Sequence, residues 1–420
     1  MEDFSQAAIL PGLVNAHSHL ELTVMRGSLE REETDFSAWL RRLTVARMAM
    51  MPEDLLVSAT CGAIEAARAG ITCMADASSA ATEAMKALRE VGMRGIVYQE
   101  SFGPDPKLAT ENVAKLREQI SSMREQENDL VRAGVSPHAP YTVSAPQLEL
   151  ISRLAIDEQL PVMMHAAESQ AEKLFLLEGR GVFAEGLKAR GIEWQAPGVS
   201  TIQYLARHGI LETKPLLAHC INVDEADLDL IKQSGAGIAH CPKSNAKLGH
   251  GRAPLAEFIA RRLNVGLGSD SVASNNTCDL LEEARFATLF SRLDRGSSPT
   301  IREGVNSLTT SKDTHITSEQ LLFAATLGGA RALGLDHQIG ALAEEMQADI
   351  AVVSLNGVHQ QPVNDPADTL IFSSSGRDVL LTIVAGKAIY RDGKVGGVNE
   401  GESRTRMETT RTRLDSSTVA

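Results

Sequence analysis

Leu13-Val14-Asn15-Ala16-His17-Ser18-His19 is a short apolar run that stops at two histidines one residue apart. Working outward, seven more short runs stop on a polar group in the same way: Ile71–Asp76, Gly95–Glu100, Ala133–His138, Pro161–His165, Pro215–His219, Ala236–His240 and Asn264–Asp270. Longer stretches with helical spacing lie between them. Pro52–Ala69 is one, with a proline suited to the first helical turn and Gly70 as its stop. Thr82–Val91, Leu108–Arg124, Ala145–Asp157 and Asp224–Gln233 read alike. Alternating strand and helix predicts a parallel sheet, and eight such units close most simply into a (β/α)₈ barrel. An open doubly wound sheet, the other solution, rarely needs eight.

Beyond Asp270 the pattern changes. Thr317–Leu333 reads as one more helix, and Asp349–Leu355, Asp378–Ala385 and Ala388–Arg391 alternate as strands, with Gly386 and Asp392-Gly393 as turns. The chain therefore divides into a short segment over 1–12, the barrel over 13–335, a small β-module over 336–394 and a polar tail over 395–420. The tail reads as frayed or as a loose surface helix.

Across 420 residues, 41 Lys+Arg stand against 54 Asp+Glu, a net charge of −13. That balance repels phosphate backbones and anionic membranes, so neither nucleic acid nor a lipid surface is the expected partner. No readable signal peptide and no apolar run of ~20 residues occurs. Five cysteines without a CxxC pair exclude a disulfide framework and fit a reducing cytoplasm.

In a parallel barrel the C-terminal strand ends form the active-site face. Here those ends carry His17 and His19, Asp76, Glu100, His138, His165, His219, His240 and Asp270. Any one of these histidines alone would read as a packed core residue; the set does not. On a strand, residues i and i+2 face the same side, so the two imidazoles of His17-Ser18-His19 converge as a metal pair would. His-x-His by itself is common and weakly specific.

The longer string Leu10-Pro11-Gly12-Leu13-Val14-Asn15-Ala16-His17-Ser18-His19-Leu20 is far more specific, as are His165-Ala166-Ala167-Glu168 and Gly268-Ser269-Asp270-Ser271-Val272-Ala273-Ser274-Asn275-Asn276. With them the chain resembles the deaminase/chlorohydrolase branch of the amidohydrolase superfamily, from about Leu10 to about Gly393. The resemblance implies a (β/α)₈ barrel flanked by a β-sandwich, and one divalent metal ion, Zn²⁺ first and Fe²⁺ as the alternative. It assigns His17, His19, His165 and Asp270 as ligands, Glu168 as the proton carrier, and His219 as the residue orienting the water with Asp270. Replacing a ring amine by oxygen needs hydroxide at neutral pH, which a bound metal supplies by lowering the pKa of water to roughly 7. It also needs a proton at the ring nitrogen, the task given to Glu168. The binuclear cyclic-amide hydrolases of the superfamily use a fourth-strand lysine. Gly134-Val135-Ser136-Pro137-His138 has none, which favours one metal and deamination. A non-catalytic barrel relative would have lost a ligand, and none is missing.

For the substrate, the resemblance points to His138, Trp39, Glu100 and Ser274 as contacts. Met48 stands where relatives acting on S-adenosylhomocysteine carry a carboxylate. Leu20-Glu21-Leu22 and Tyr98-Gln99-Glu100-Ser101 look more like aminodeoxyfutalosine deaminases. The expected activity is hydrolytic deamination of an aminopurine nucleoside, aminodeoxyfutalosine first. S-adenosylhomocysteine, adenosine, another aminoheterocycle or a chlorohydrolase substrate is the alternative. Relatives place several strands before the barrel, whereas about twelve residues precede it here. The N-terminal half of the sandwich thus reads as truncated, and the apolar faces of Val379, Leu381 and Ile383 as needing a partner, either upstream chain or a second subunit.

Overall fold

A computed structural model describes residues 3–293 and 315–418. The chain opens on β1 (Ala7–Pro11). Eight parallel strands follow: β2 (Leu13–Ser18), β3 (Ile71–Ser78), β4 (Arg94–Ser101), β5 (Val131–Pro137), β6 (Met163–Ala166), β7 (Leu216–His219), β8 (Gly237–His240) and β9 (Asn264–Leu267). They pair as two four-stranded sheets, β2-β3-β4-β5 and β6-β7-β8-β9. Two single bridges, Val135 with Val162 and Ser18 with Asp270, join the sheets at both seams and close the barrel. Strands covered on both faces need continuous apolar runs, and six of the eight are buried at every residue. The stretch 294–314, inside the expected barrel range, lies outside the described residues.

Helix α1 (Phe36–Met48) starts at Asp35, whose carboxylate accepts from the backbone N–H groups of Ser37 and Ala38. Helix α2 (Pro52–Arg68) has its proline in the first turn. It gives way to β3 at Gly70, where φ is +80° and a Cβ would come within 3.2 Å of Ala351. The helix expected over Thr317–Leu333 is present as Ser318–Phe323, a π-helical turn Ala324–Gly328, and Gly329–Ala332. Its glycines allow close approach to the barrel: a Cβ at Gly329 would lie 2.9 Å from that of Val14.

The appended module is one antiparallel sheet drawn from both ends of the chain. β1 pairs with β10 (Ile350–Ser354), which pairs with β11 (Val379–Val384); β12 (Lys387–Arg391) and β13 (Lys394–Val395) complete it. It is a single sheet rather than two facing ones. Two sequence expectations need correction here. Val379 and Leu381 do not await an outside partner, because they are 3% and 2% exposed within this chain. The sheet lies against α2 and β3, and the Thr382 hydroxyl donates to the Ala67 carbonyl at 2.7 Å. Only Ile383 of the three stays half-buried. Nor is the tail loose. It forms a helix, Glu400–Thr418, that docks on α2. Arg68 pairs with Glu400 at 2.7 Å, Thr410 donates to Asp54 at 3.1 Å, Arg413 pairs with Asp54, and Leu414 is buried. Its apolar residues are too sparse to show as a periodic stripe, so the polar composition masked the docked face.

Arg94, at the start of β4, forms a buried two-point pair with Asp349 at 3.0 and 3.1 Å, with side chains 3% and 1% exposed. Asp349 also accepts from the Ala385 N–H at 2.8 Å, so one carboxylate ties the sheet to the barrel. Asp349→Ala would strand a buried guanidinium, and the expected loss is about 3–5 kcal/mol in denaturant unfolding. A loss below about 1 kcal/mol, the scale of an exposed pair, would remove that role.

Candidate active site

The seam where β2 meets the end of β9 builds the site. The Asp270 N–H donates to the His17 carbonyl at 2.8 Å, and Asn15 bonds both the Ser269 backbone N–H (2.9 Å) and its hydroxyl (2.8 Å). Asp76 accepts from the Ser18 hydroxyl at 2.8 Å and the Leu20 N–H at 2.7 Å, holding the segment that carries the two histidines. It does not join the donor group, and burial pushes its carboxyl up to about 8. His219 and Asp270 both have left-handed backbone, φ +75° and +55°. Non-glycine residues rarely adopt it, and it concentrates at functional sites.

His17, His19 and His165 bring donor atoms within 4.8 Å of one another, as do His17, His219 and Asp270. His19 Nε2 faces His165 Nε2 at 3.2 Å, and Asp270 Oδ1 lies 3.3 Å from His17 Nε2 and 3.6 Å from His19 Nε2. Buried atoms without hydrogen-bond partners are uncommon, yet His17 Nε2 and His219 Nε2 are two of them. Three imidazoles and one carboxylate aimed together, with His17 Nε2 unsatisfied among them, fit one divalent cation. Burial favours the neutral, ligating imidazole: His17 falls to about 4 and His165 well below its usual range. Burial opposes ionisation of Asp270, but His17, His219 and His19 outweigh it and hold the carboxylate charged.

The groups behind these side chains fix their orientation. His165 Nδ1 donates to the His138 carbonyl at 3.0 Å, and His219 Nδ1 to Asn245 Oδ1 at 2.8 Å. Both assignments leave Nε2 facing the cavity. Ser244 and Ser274 donate to Asp270 Oδ2. Ser274 is therefore spent on Asp270 and does not line the cavity, contrary to its expected substrate contact; it follows Asp270 by one helical turn and turns inward. His240 is buried, lowered to about 3 by that burial, and stands outside the donor groups.

Glu168 is 5% exposed, with Oε1 3.6 Å from His219 Nε2 and 3.5 Å from His250 Nε2. Its loop is held from behind by Glu172, which accepts from the N–H groups of Ala167 (2.9 Å) and Glu168 (3.0 Å) and from the Thr201 hydroxyl. Above the site lies a cavity of about 600 Å³. Trp39, Glu100 and His138 line it, along with Phe36, Leu40, Leu43, Phe102 and Tyr141. Met48 sits at its mouth, 80% exposed. Glu100 Oε1 lies 4.0 Å from His19 and 3.9 Å from His138, and burial raises its carboxyl well above the usual range. With His138 and His165 it forms a third group whose donor atoms lie within 4.8 Å of one another. Glu21, an open assignment from sequence, lines the cavity and is held there: it pairs with Arg47 at 2.9 Å and accepts from Ser78, Ser79 and the Ala80 N–H.

A parallel barrel with histidine and aspartate donors gathered at its strand ends defines a metal-dependent hydrolase class. Residues 8–389 match the profile of the Amidohydrolase family, and the chain belongs to it. Two 5-methylthioadenosine/S-adenosylhomocysteine deaminases are among its relatives. That of Pyrococcus furiosus is 32% identical over 406 residues, covering 95% of this chain and 87% of the relative. That of Syntrophobacter fumaroxidans is 30% identical over 408 residues, covering 96% and 85%. A zinc-bound adenosine deaminase from Xanthomonas campestris superposes with a TM-score of 0.82 at 26% identity, covering 98% of this chain and 87% of that one. Zinc-bound atrazine chlorohydrolase from Arthrobacter aurescens shares the fold, with a TM-score of 0.82 at 22% identity over 97% and 88%. Among the described residues, no helix is long and apolar enough to cross a membrane.

Proposed function

We propose that this chain is a hydrolytic deaminase of 6-aminopurine nucleosides, working with one divalent metal ion. The observation that carries the reading is the convergence of His17, His19, His165 and Asp270 beneath a cavity into which Glu168 faces. Those four residues would hold the ion, Zn²⁺ first by their donor chemistry. When bound, the ion supplies an activated water at neutral pH. Asp270, kept ionised by its histidine neighbours, would take up at Oδ1 the proton released by the attacking water and return it to the departing amine. Burial lowers the proton affinity of His219, but Glu168 and Asp270 overcome it, so this imidazole can carry positive charge beside the attacked carbon. Glu168 delivers a proton to the ring nitrogen and then assists the amine to leave as ammonia. Glu100 and His138 face the purine, and Trp39 with its α1 neighbours covers the apolar part of the nucleoside.

Relatives named for 5-methylthioadenosine and S-adenosylhomocysteine support the nucleoside class, and the apolar α1 side chains of the cavity would pack against a 5′ substituent. Within that class, aminodeoxyfutalosine remains the candidate favoured by the Glu21 and Glu100 motifs. The test is ammonia release from a panel: adenosine, 5-methylthioadenosine, S-adenosylhomocysteine, aminodeoxyfutalosine, cytosine, pterins and amino- or chlorotriazines. Adenine nucleosides should show the ultraviolet change from amine to oxo, with bulky 5′ groups tolerated. Turnover confined to cytosine, pterins or triazines would overturn the purine assignment.

A further inference from the structure

Glu168 has a second imidazole neighbour whose role the reading above leaves open. His250 lies in the loop after the short helix Pro242–Lys247, between Gly249 and Gly251, both in left-handed backbone (φ +68° and +103°). Its side chain is only 5% exposed, and Nε2 has no hydrogen-bond partner. That nitrogen points at Glu168 Oε1 from 3.5 Å. The ring stands edge-on against Phe36, with centroids 4.4 Å apart at 89°, and Phe36 in turn stacks near Trp39. Packing thus fixes the plane of the imidazole, and a buried polar atom without a bond waits for one.

From this juxtaposition we infer that His250 is a positioning residue: its Nε2–H holds Oε1 of Glu168, leaving the other carboxyl oxygen to serve the ring nitrogen of the substrate. The inference rests on the deaminase reading, in which Glu168 carries the proton. The charged and titratable groups felt by His250 are Glu168, His219 and Asp270. Burial lowers its proton affinity more than the two carboxylates raise it, so it acts as a neutral donor. Because its ring rests on Phe36, the α1 wall over the substrate and the proton carrier share one support.

The test uses the metal-loaded full chain and the fastest substrate of the panel. His250→Phe keeps a ring against Phe36 but removes the nitrogen. It should lower kcat about tenfold or more while KM, metal per chain and Tm stay close to wild type. His250→Gln places an amide nitrogen near the same point and should recover most of kcat. If His250→Phe retains kcat within about twofold, or His250→Gln is as slow as His250→Phe, the nitrogen does not act on Glu168. A readout without turnover separates this inference from the deaminase reading. In histidine-selective ¹⁵N spectra His250 should be the Nε2–H tautomer, and Glu168→Gln should move its Nε2 resonance. An Nδ1–H tautomer, or a resonance indifferent to Glu168→Gln, overturns the proposal even if the enzyme is inactive on every purine.

Discussion

Removing the divalent metal with a chelator should abolish ammonia release, and returning about one equivalent of Zn²⁺ per chain should restore it. The expectation comes from the donor set itself. His17 and His165 are held neutral by burial and Asp270 is held charged by its histidine neighbours, so these three need not shed protons to bind at neutral pH. A single ion is expected because β5 carries no lysine to bridge two. Without the ion no residue of the cavity makes hydroxide at neutral pH, so residual turnover should fall to background. Elemental analysis alongside the assay decides the count. Two tightly held ions per chain, required together, would defeat the mononuclear reading.

Glu168→Gln should leave the metal in place and lower kcat by ~10²-fold or more. Glutamine keeps the shape and can accept a hydrogen bond but cannot donate a proton and take it back. Glu168 lies near His219 and His250 and is absent from the converging donor groups, so metal content should not change. Glu172 continues to hold the loop through the Ala167 and Glu168 amides, which the substitution does not touch. If the variant instead lost its metal and regained activity on resupply, Glu168 would be a ligand and its assigned role mistaken.

The eight barrel strands were legible because each is short, apolar and closed by a polar group, a pattern that burial on both faces imposes. The candidate ligands were legible only through the resemblance: His17, His19, His165 and Asp270 stand where strands end, but so do His138, His219 and His240, and it is the longer strings around the four that single them out. His250 was not, since it belongs to no strand and no helix; its only signal is a histidine between two glycines that turn the chain sharply. Ser274 sits in a recognisable string, yet a string does not say which way a hydroxyl points, and it turns to Asp270 instead of the cavity. The docked C-terminal helix was hidden for a third reason. Its attachment runs largely through Arg68, Asp54 and Thr410 rather than through an apolar stripe.

The seam joining β2 to the end of β9 also governs when the site comes into being. As the chain is synthesised from its N-terminus, His17, His19 and His165 all exist before Asp270 does. Yet the bond from the Asp270 amide to the His17 carbonyl both shuts the barrel and delivers the carboxylate to the imidazoles. Contacts that span so much sequence form late, after the loop between them has been closed at an entropic cost. A nascent chain lacking its last barrel strand therefore offers the three imidazoles without the Asp270 carboxylate that completes the set. Full ligation can only follow closure, so metal uptake during refolding would mark the moment at which the barrel becomes a ring.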